Sequence, residues 1–390
     1  MHPTAEKLWN LTPKFAQDTI ASSIDRLQGV VPPAPPVPDA QKPIRLLVGP
    51  VNYAGQGYRW SRAVEETGRV SAKNYVHEAN NPLQYESDYT VTWRTAEHSR
   101  AWQRSMAATL AESYTHVLIE ACFPVLGGLY SGDMRRQIAL MQDAGLKVAF
   151  VGHGTDVRLP SRHAELHEWS YFRDDEWVDP ALVETVVAKN LQLIADTGLP
   201  TFVSTAGLLL DLPDAHFLGV IIDPAKWENS EPLLVRERLH VVHAPTNPIA
   251  KGTNFVAPVA RALQEEGLVD YTELRGIPNH QMPAVFAQAD IVLDQFRAGD
   301  YGVGACETMA SGRLVLAHVS DQVRSEVERR AGMSLPIPET TPGNVEAVLR
   351  DVAARRDHYR EIAAQGPEFV RRLHNGDYSR DTLMRNFLDA

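Results

Sequence analysis

The sequence predicts an α/β protein whose strands form parallel sheets in two successive domains. Three observations carry this. Apolar runs at 239–243, 271–275, 290–294 and 314–319 alternate with helical patterns, and the first three end in polar or glycine-rich turns. The same alternation occurs upstream, at 44–48, 116–120, 147–151 and 200–204. A chain of 390 residues has room for two or three domains. Ligands of such sheets bind beyond the carboxyl ends of the strands, so the residues that follow each run are the candidates for chemistry.

Taken in order, residues 5–28 place Leu8, Trp9, Leu11, Phe15, Ile20, Ile24 and Leu27 at roughly helical spacing. That stripe needs cover from the body of the protein or from a second copy of the chain. Residues 30–43 contain PPAPPVP and read either as a stiff spacer or as an unstructured tail. The strand at 44–48 runs into a loop that holds Gly55 and Gly57, then a helix to about residue 68. This is a ligand-loop arrangement without the G-x-G-x-x-G of a dinucleotide site. Residues 70–100 are rich in aromatic residues; 89–93 reads as a strand and 96–111 as a helix. The strand at 147–151 ends in Gly152-His153-Gly154-Thr155-Asp156-Val157-Arg158. His153 offers ring nitrogens to a hydroxyl, and Asp156 is placed to orient an acceptor or to pair with Arg158. Arg158, Arg162, His163, His167 and Arg173 form a basic run, which reads as a site for an anionic acceptor at a membrane surface or as a solvated helix. A helix at 180–196, a strand at 200–204 and a short strand near 217 complete the first half.

The second half carries the denser chemistry. Thr246 and Asn247 follow the strand at 239–243, and Lys251-Gly252-Thr253 is expected to open a helix running to residue 266. A helix N-terminus presents unpaired N–H groups and partial positive charge, and with a lysine beside it suits a diphosphate. Asp294 and Gln295 follow the next strand, and Ala298-Gly299-Asp300-Tyr301-Gly302-Val303-Gly304 forms a glycine-rich turn. A helix is expected from about residue 305, with Glu307 in its first turn, where a carboxylate can accept two hydrogen bonds from a diol. Helices at 321–330 and 342–364 then pack on the second domain.

These motifs, with Glu307-Thr308-Met309-Ala310-Ser311-Gly312, resemble the C-terminal half of glycosyltransferase family 4. The resemblance implies a GT-B fold, two Rossmann-like domains facing across a cleft. It is strong over 239–319, weak over 44–223 and absent over 1–40. Domains are expected at 44–225 and 226–372, after an N-terminal segment 1–43, with a helix at 373–390 crossing back to the first. The resemblance implies sugar transfer from a nucleotide-diphosphate sugar, a UDP-sugar ahead of a GDP-sugar, to a hydroxyl acceptor. Retention of configuration and no metal or other cofactor are further implications. By resemblance Lys251 holds the diphosphate, Glu307 the ribose, and His153 sits near the reacting sugar. Gly55, Gly57, Thr246, Asn247, Gly252, Asp294, Gln295, Asp300, Tyr301 and Gly302 complete the expected donor site. Two departures stand out. The family's first glutamate falls on Gly299, and its arginine ahead of the lysine is missing. They keep open an epimerase on the same fold and a non-catalytic sugar-nucleotide-binding scaffold.

Composition narrows the rest. Hydrophobic residues at 44% and charged residues at 22% describe an ordinary globular protein, and a net charge of −11 argues against nucleic acid as partner. Cys122 and Cys306 stand alone in apolar settings, so a reducing, cytoplasmic compartment is expected. No signal-like core or run of ~20 apolar residues is present in the sequence. A homodimer through the N-terminal helix is a further expectation.

Overall fold

A computed structural model describes residues 12–27, 29, 31–78, 83–174 and 176–390. Among these, seven parallel strands form one sheet and four form another. The first holds β1 (Ile44–Gly49), β2 (Val70–Glu78), β3 (Tyr89–Thr92), β4 (His116–Glu120), β5 (Lys147–Gly152), β6 (Thr201–Val203) and β7 (His216–Phe217), in the order β3-β2-β1-β4-β5-β6-β7. The second holds β8 (Leu239–His243), β9 (Val269–Glu273), β10 (Ile291–Leu293) and β11 (Leu314–Leu316), in the order β11-β10-β8-β9. Helices cover both faces, which is why the central strands are apolar without alternation. Leu46–Val48 of β1 and Val117–Ile119 of β4 are fully buried.

Most strands fall where the apolar runs place them. β2 is the strand that the sequence hides, because Lys73, Asn74 and His77 interrupt its apolar pattern. Asn74 is nonetheless buried, with Nδ2 donating to the Val48 carbonyl and its N–H to Asp88, while its Oδ1 has no hydrogen-bond partner among the described residues. The strand expected at 89–93 stops one residue early, because the Thr92 side chain accepts from the Thr95 N–H and caps the helix Trp93–His98. β9 lies two residues ahead of its expected position.

Of the two early segments, the first packs on the body of the chain and the second is pinned to it, while Ile20, Ile24 and Leu27 of the expected stripe stay exposed. Residues 5–11 and 28 of the first expected helix, and residue 30 of the proline-rich stretch, lie outside the described residues. The helix Lys14–Leu27 lies against the helix Trp93–His98. Its buried Asp18 meets His98 at 3.1 Å and Arg100 at 3.4 Å. The stretch that follows is extended and pinned, neither a free spacer nor a tail. Tyr89 donates to the Pro33 carbonyl and Tyr114 to the Pro36 carbonyl, both at 2.8 Å. Prolines suit this docking, since they carry no N–H that would need a partner.

At the other end, the chain after helix Gly366–Leu373 runs over the first sheet. Leu383, Phe387 and Leu388 pack with Ile44, Leu46 and Val48 of β1 and with Phe202 of β6. The Phe387 ring meets His116 edge-on at 5.1 Å. Phe387→Ala is therefore expected to cost about 3–5 kcal/mol in chemical denaturation. A loss below about 1 kcal/mol would show that this segment is not part of the core.

Candidate functional site

Each sheet has one place where the strand order reverses, and open α/β sheets bind ligands there. In the first sheet it lies between β1 and β4, in the second between β8 and β10. The loops that leave these strands carry the polar groups described next.

At the first reversal, Glu120 ends β4 and is wholly buried. Its Oε2 accepts from the N–H groups of Val51 (3.2 Å) and Asn52 (3.0 Å), in the loop after β1. Its Oε1 lies 3.1 Å from His153 Nε2, at the end of β5. A carboxylate only accepts, so Nε2 carries a proton, and Nδ1 is the ring nitrogen that faces away from Glu120. Among the described residues Nδ1 has no protein partner. The ring is held between Trp60 at 5.4 Å and Tyr53 at 5.2 Å. Asp156 fixes the same loop from below, accepting from the His153 N–H at 3.0 Å and from the Gly154 N–H.

At the second reversal, Lys251 forms an ion pair with Asp294 Oδ1. The other carboxylate oxygen, Oδ2, is buried without a hydrogen-bond partner among the described residues. The helix Val303–Ala310 starts directly above the pair. A Cβ on Gly304 would stand 2.9 Å from Asp294 Oδ1 and 3.8 Å from Lys251 Nζ, so only glycine lets the backbone this close. Gly302 caps the helix without a side chain, leaving the first N–H groups turned to the cleft with their partial positive charge. Glu307 lies one turn further on, buried, its Oε1 accepting from Asn279 Nδ2 at 3.0 Å. Burial pushes its carboxyl up to about 7, against the opposing charge of Arg59.

Two cavities occupy the cleft. One, of about 490 Å³, is lined by Lys251, Asp294, Gly304, Glu307, Asn279 and the turn Leu274–Arg275–Gly276–Ile277, with Tyr85 from the first domain. The other, of about 780 Å³, is lined by His153, Tyr53, Cys122, Tyr171 and Trp177, with Asp156 and Arg158. They share Ala54, Thr246, Gln295, Gly302 and Val303 as a common wall.

No family model matches the sequence, and no curated protein matches it. Solved structures do. The sucrose-phosphate synthase of Thermosynechococcus elongatus is similar over 88% of this chain and 97% of its own, with a TM-score of 0.56 at 12% identity. Anabaena HepE, in complex with UDP and glucose, is similar over 86% of this chain and 97% of its own, with a TM-score of 0.55 at 10% identity. A glycosyltransferase from Rickettsia africae covers 88% and 97%, with a TM-score of 0.52 at 12% identity. The fold is GT-B.

In this GT-B chain a short loop after β10 makes several contacts with the first domain. Asp300 Oδ2 takes the Arg158 guanidinium at 3.3 Å and the Gly207 N–H at 3.0 Å, while Oδ1 takes the Tyr301 N–H at 2.9 Å. Arg297 donates to the Trp169 and Ser170 carbonyls and to Asp174. His163 Nε2 lies 3.1 Å from the Ala298 carbonyl. Gly299 has φ 61° and lies against the His167 ring, where any side chain would collide. This is why no glutamate can stand at 299.

Several expected site residues are thus employed in the fold. Asp300 has both oxygens occupied by protein donors, and Tyr301 turns its hydroxyl to His374 at 3.0 Å. Asp156 holds its own loop and does not pair with Arg158. Asn247 Oδ1 caps the turn Pro248–Lys251. Gly252, at φ 79°, separates that turn from the helix Thr253–Glu265 and lies against Phe296, outside both cavities. Lys251 therefore ends one helical turn rather than opening a helix, and the helix start beside it belongs to Val303. Glu307 is correspondingly in the second turn of its helix. Gly57 faces Asn74 and Glu120, and Gly55 faces Tyr85. Thr246, Lys251, Asp294, Gln295, Gly302, Glu307, His153, Asp156, Asp300 and Tyr301 do line the cleft.

Sequence reasoning misses Glu120, Asn279 and Arg59, and it reads Tyr85, with the other aromatics of residues 70–100, as core or rim in preference to a sugar site. Glu120 had a signal: it is the one charge that ends the run His116–Glu120. Arg59 comes from the helix Gln56–Glu65, Asn279 from a short helical turn and Tyr85 from a loop, none of them marked by a local pattern.

The raised Glu307 pKa sets a pH dependence. Below about pH 7 the carboxyl is protonated and loses acceptor capacity. Nucleoside diphosphate affinity, measured by calorimetry from pH 5.5 to 8.5, is expected to rise with pH through 7 and level off. The Glu307→Gln profile should be flat over that step. A wild-type affinity that falls across it would contradict the assignment of a diol to Glu307.

Proposed function

We propose that this protein transfers a sugar from a nucleotide-diphosphate sugar to a hydroxyl acceptor, with retention of anomeric configuration. The observation that carries the reading is the shared wall of the two cavities. A ligand with a base, ribose, diphosphate and sugar in a row fits the Lys251 cavity with its sugar at that wall, facing the His153 cavity. The base takes the apolar end near Ile277, Met282 and Phe286, and Glu307 takes the ribose. The diphosphate takes the N–H groups at Gly302–Gly304 beside Lys251. The partnerless Asp294 Oδ2 is an acceptor for a sugar hydroxyl, which would satisfy a buried group that the protein leaves unpaired. That Anabaena HepE holds UDP and glucose supports a UDP-sugar as donor.

In the transfer the bond from C1 of the sugar to the phosphate oxygen breaks and a bond to the acceptor oxygen forms on the same face. The leaving phosphate oxygen takes the acceptor's proton. Negative charge grows on the diphosphate, and Lys251 with the helix start stabilises it as fixed, preorganised groups. A second reading rests on Glu120 and His153. A buried carboxylate that fixes the Nε2 proton leaves Nδ1 as a base on the acceptor side, which is what attack from the opposite face would use.

Product analysis separates the two. NMR of the product is expected to show the donor's anomeric configuration; the opposite configuration assigns the base role to His153. Lys251→Ala is expected to lower kcat by about 100-fold or more. Glu307→Gln is expected chiefly to raise donor KM, by about ten- to a hundred-fold. Kinetics like the wild type in both would sink the site. Tight nucleotide binding without transfer to any acceptor would favour the scaffold reading, and interconversion of donors the epimerase.

A further inference from the structure

The His153 cavity also limits what the acceptor can be, an inference that rests on the transfer reading above. Its wall is mostly apolar and aromatic, with Tyr171, Trp177, Phe123, Met134, Val186 and Ala298 among its lining residues. Its volume of about 780 Å³ is that of a site for a drug-sized molecule. Every charged group on the wall is already spent within the protein. The Arg158 guanidinium gives one nitrogen to the Tyr171 hydroxyl at 2.8 Å and another to Asp300 at 3.3 Å. Asp300 is filled by Arg158 and two backbone N–H groups. Asp156 accepts from His153 and Gly154, and His153 gives its proton to Glu120.

The rest of the basic run is equally committed. Arg162 binds the Leu210 carbonyl and Asp211, and Arg173 binds the His167 and Ala164 carbonyls. His163 is pushed down to about 2 and His167 to about 4, in each case first by burial and then by Arg158, so both are neutral. Within this cavity the run therefore offers no unpaired charge to an anionic acceptor. Lys189 lines the neighbouring surface groove, not this cavity. An anion brought into the cavity would lose its hydration and find no partner charge, which is costly.

We propose that the acceptor is an uncharged alcohol or phenol with a largely apolar, ring-bearing body, held by aromatic contact rather than by charge. Its hydroxyl meets His153 Nδ1 at the common wall, and Tyr53 and Thr155 supply the neutral polar contacts.

The test uses the full-length protein and the donor that binds it most tightly in a nucleotide-sugar panel. Acceptors come in matched pairs with the same aromatic body: 4-nitrobenzyl alcohol against 4-carboxybenzyl alcohol, and a naphthyl alcohol against its phosphate-bearing analogue. The neutral member of each pair is expected to have a kcat/KM at least about tenfold higher, the scale of one lost desolvation contest at ~1.4 kcal/mol. Val186→Lys, at a half-exposed position on the wall, is expected to narrow that ratio at least about threefold by giving the carboxylate a partner, a shift of under 1 kcal/mol typical of an exposed ion pair. Equal or reversed preference in the wild type, or an unchanged ratio in Val186→Lys, overturns the proposal while leaving sugar transfer standing. Failure of every nucleotide sugar to bind overturns both.

Discussion

The Asp300 carboxylate is the contact on which the rest of the architecture depends. Asp300 sits in the loop after β10, where the two domains meet, and it is wholly buried. Burial raises its pKa, and Arg158 together with the Tyr301 and Gly207 N–H groups works against that rise. Removing one partner from such a group costs several kcal/mol, because the charge left behind has no water. The loop is therefore held in one position, and with it the start of the helix Val303–Ala310. That helix start is a wall of both cavities, so a contact made for domain docking also sets where the two cavities join.

The two reversal points show the same economy. At each, a carboxylate from one strand end fixes a basic residue from another: Glu120 holds His153, and Asp294 holds Lys251. The pairs differ in what they leave free. Glu120 is saturated and transmits its effect through the orientation of the imidazole. Asp294 keeps one buried oxygen unpaired, a state that native structures tolerate where a ligand completes it. Glycines at 57 and 304 let helices close over these pairs at distances that any side chain would forbid.

Much of the fold was legible because parallel strands covered on both faces are continuous apolar runs, and those runs needed no knowledge of tertiary structure. β2 was not, since Lys73, Asn74 and His77 find partners only in the folded sheet. The site was legible as a region and less so in its parts. Lys251, Asp294 and Glu307 stand at strand or helix ends and do line the cleft. Asn247 and Gly252 stand at equivalent places and serve the fold instead, while Asp300 and Tyr301 line the cleft with their polar groups bound to the protein. A polar residue at a strand end can face a ligand, a cap or another domain, and only the third dimension distinguishes these. The departure at Gly299 is the clearest case. It read as a missing catalytic group, and the structure explains it by the His167 ring packed against it.

The account's central claim is that donor and acceptor meet at the wall formed by Thr246, Gln295, Gly302 and Val303. A crystal structure of the protein with an intact nucleotide-diphosphate sugar tests it most directly. The diphosphate is expected within hydrogen-bond distance of Lys251 and the N–H groups of Val303 and Gly304. The ribose is expected on Glu307 and the sugar beside Asp294, opening toward His153. A nucleotide seated in the His153 cavity, with Glu307 and Lys251 untouched, would contradict it.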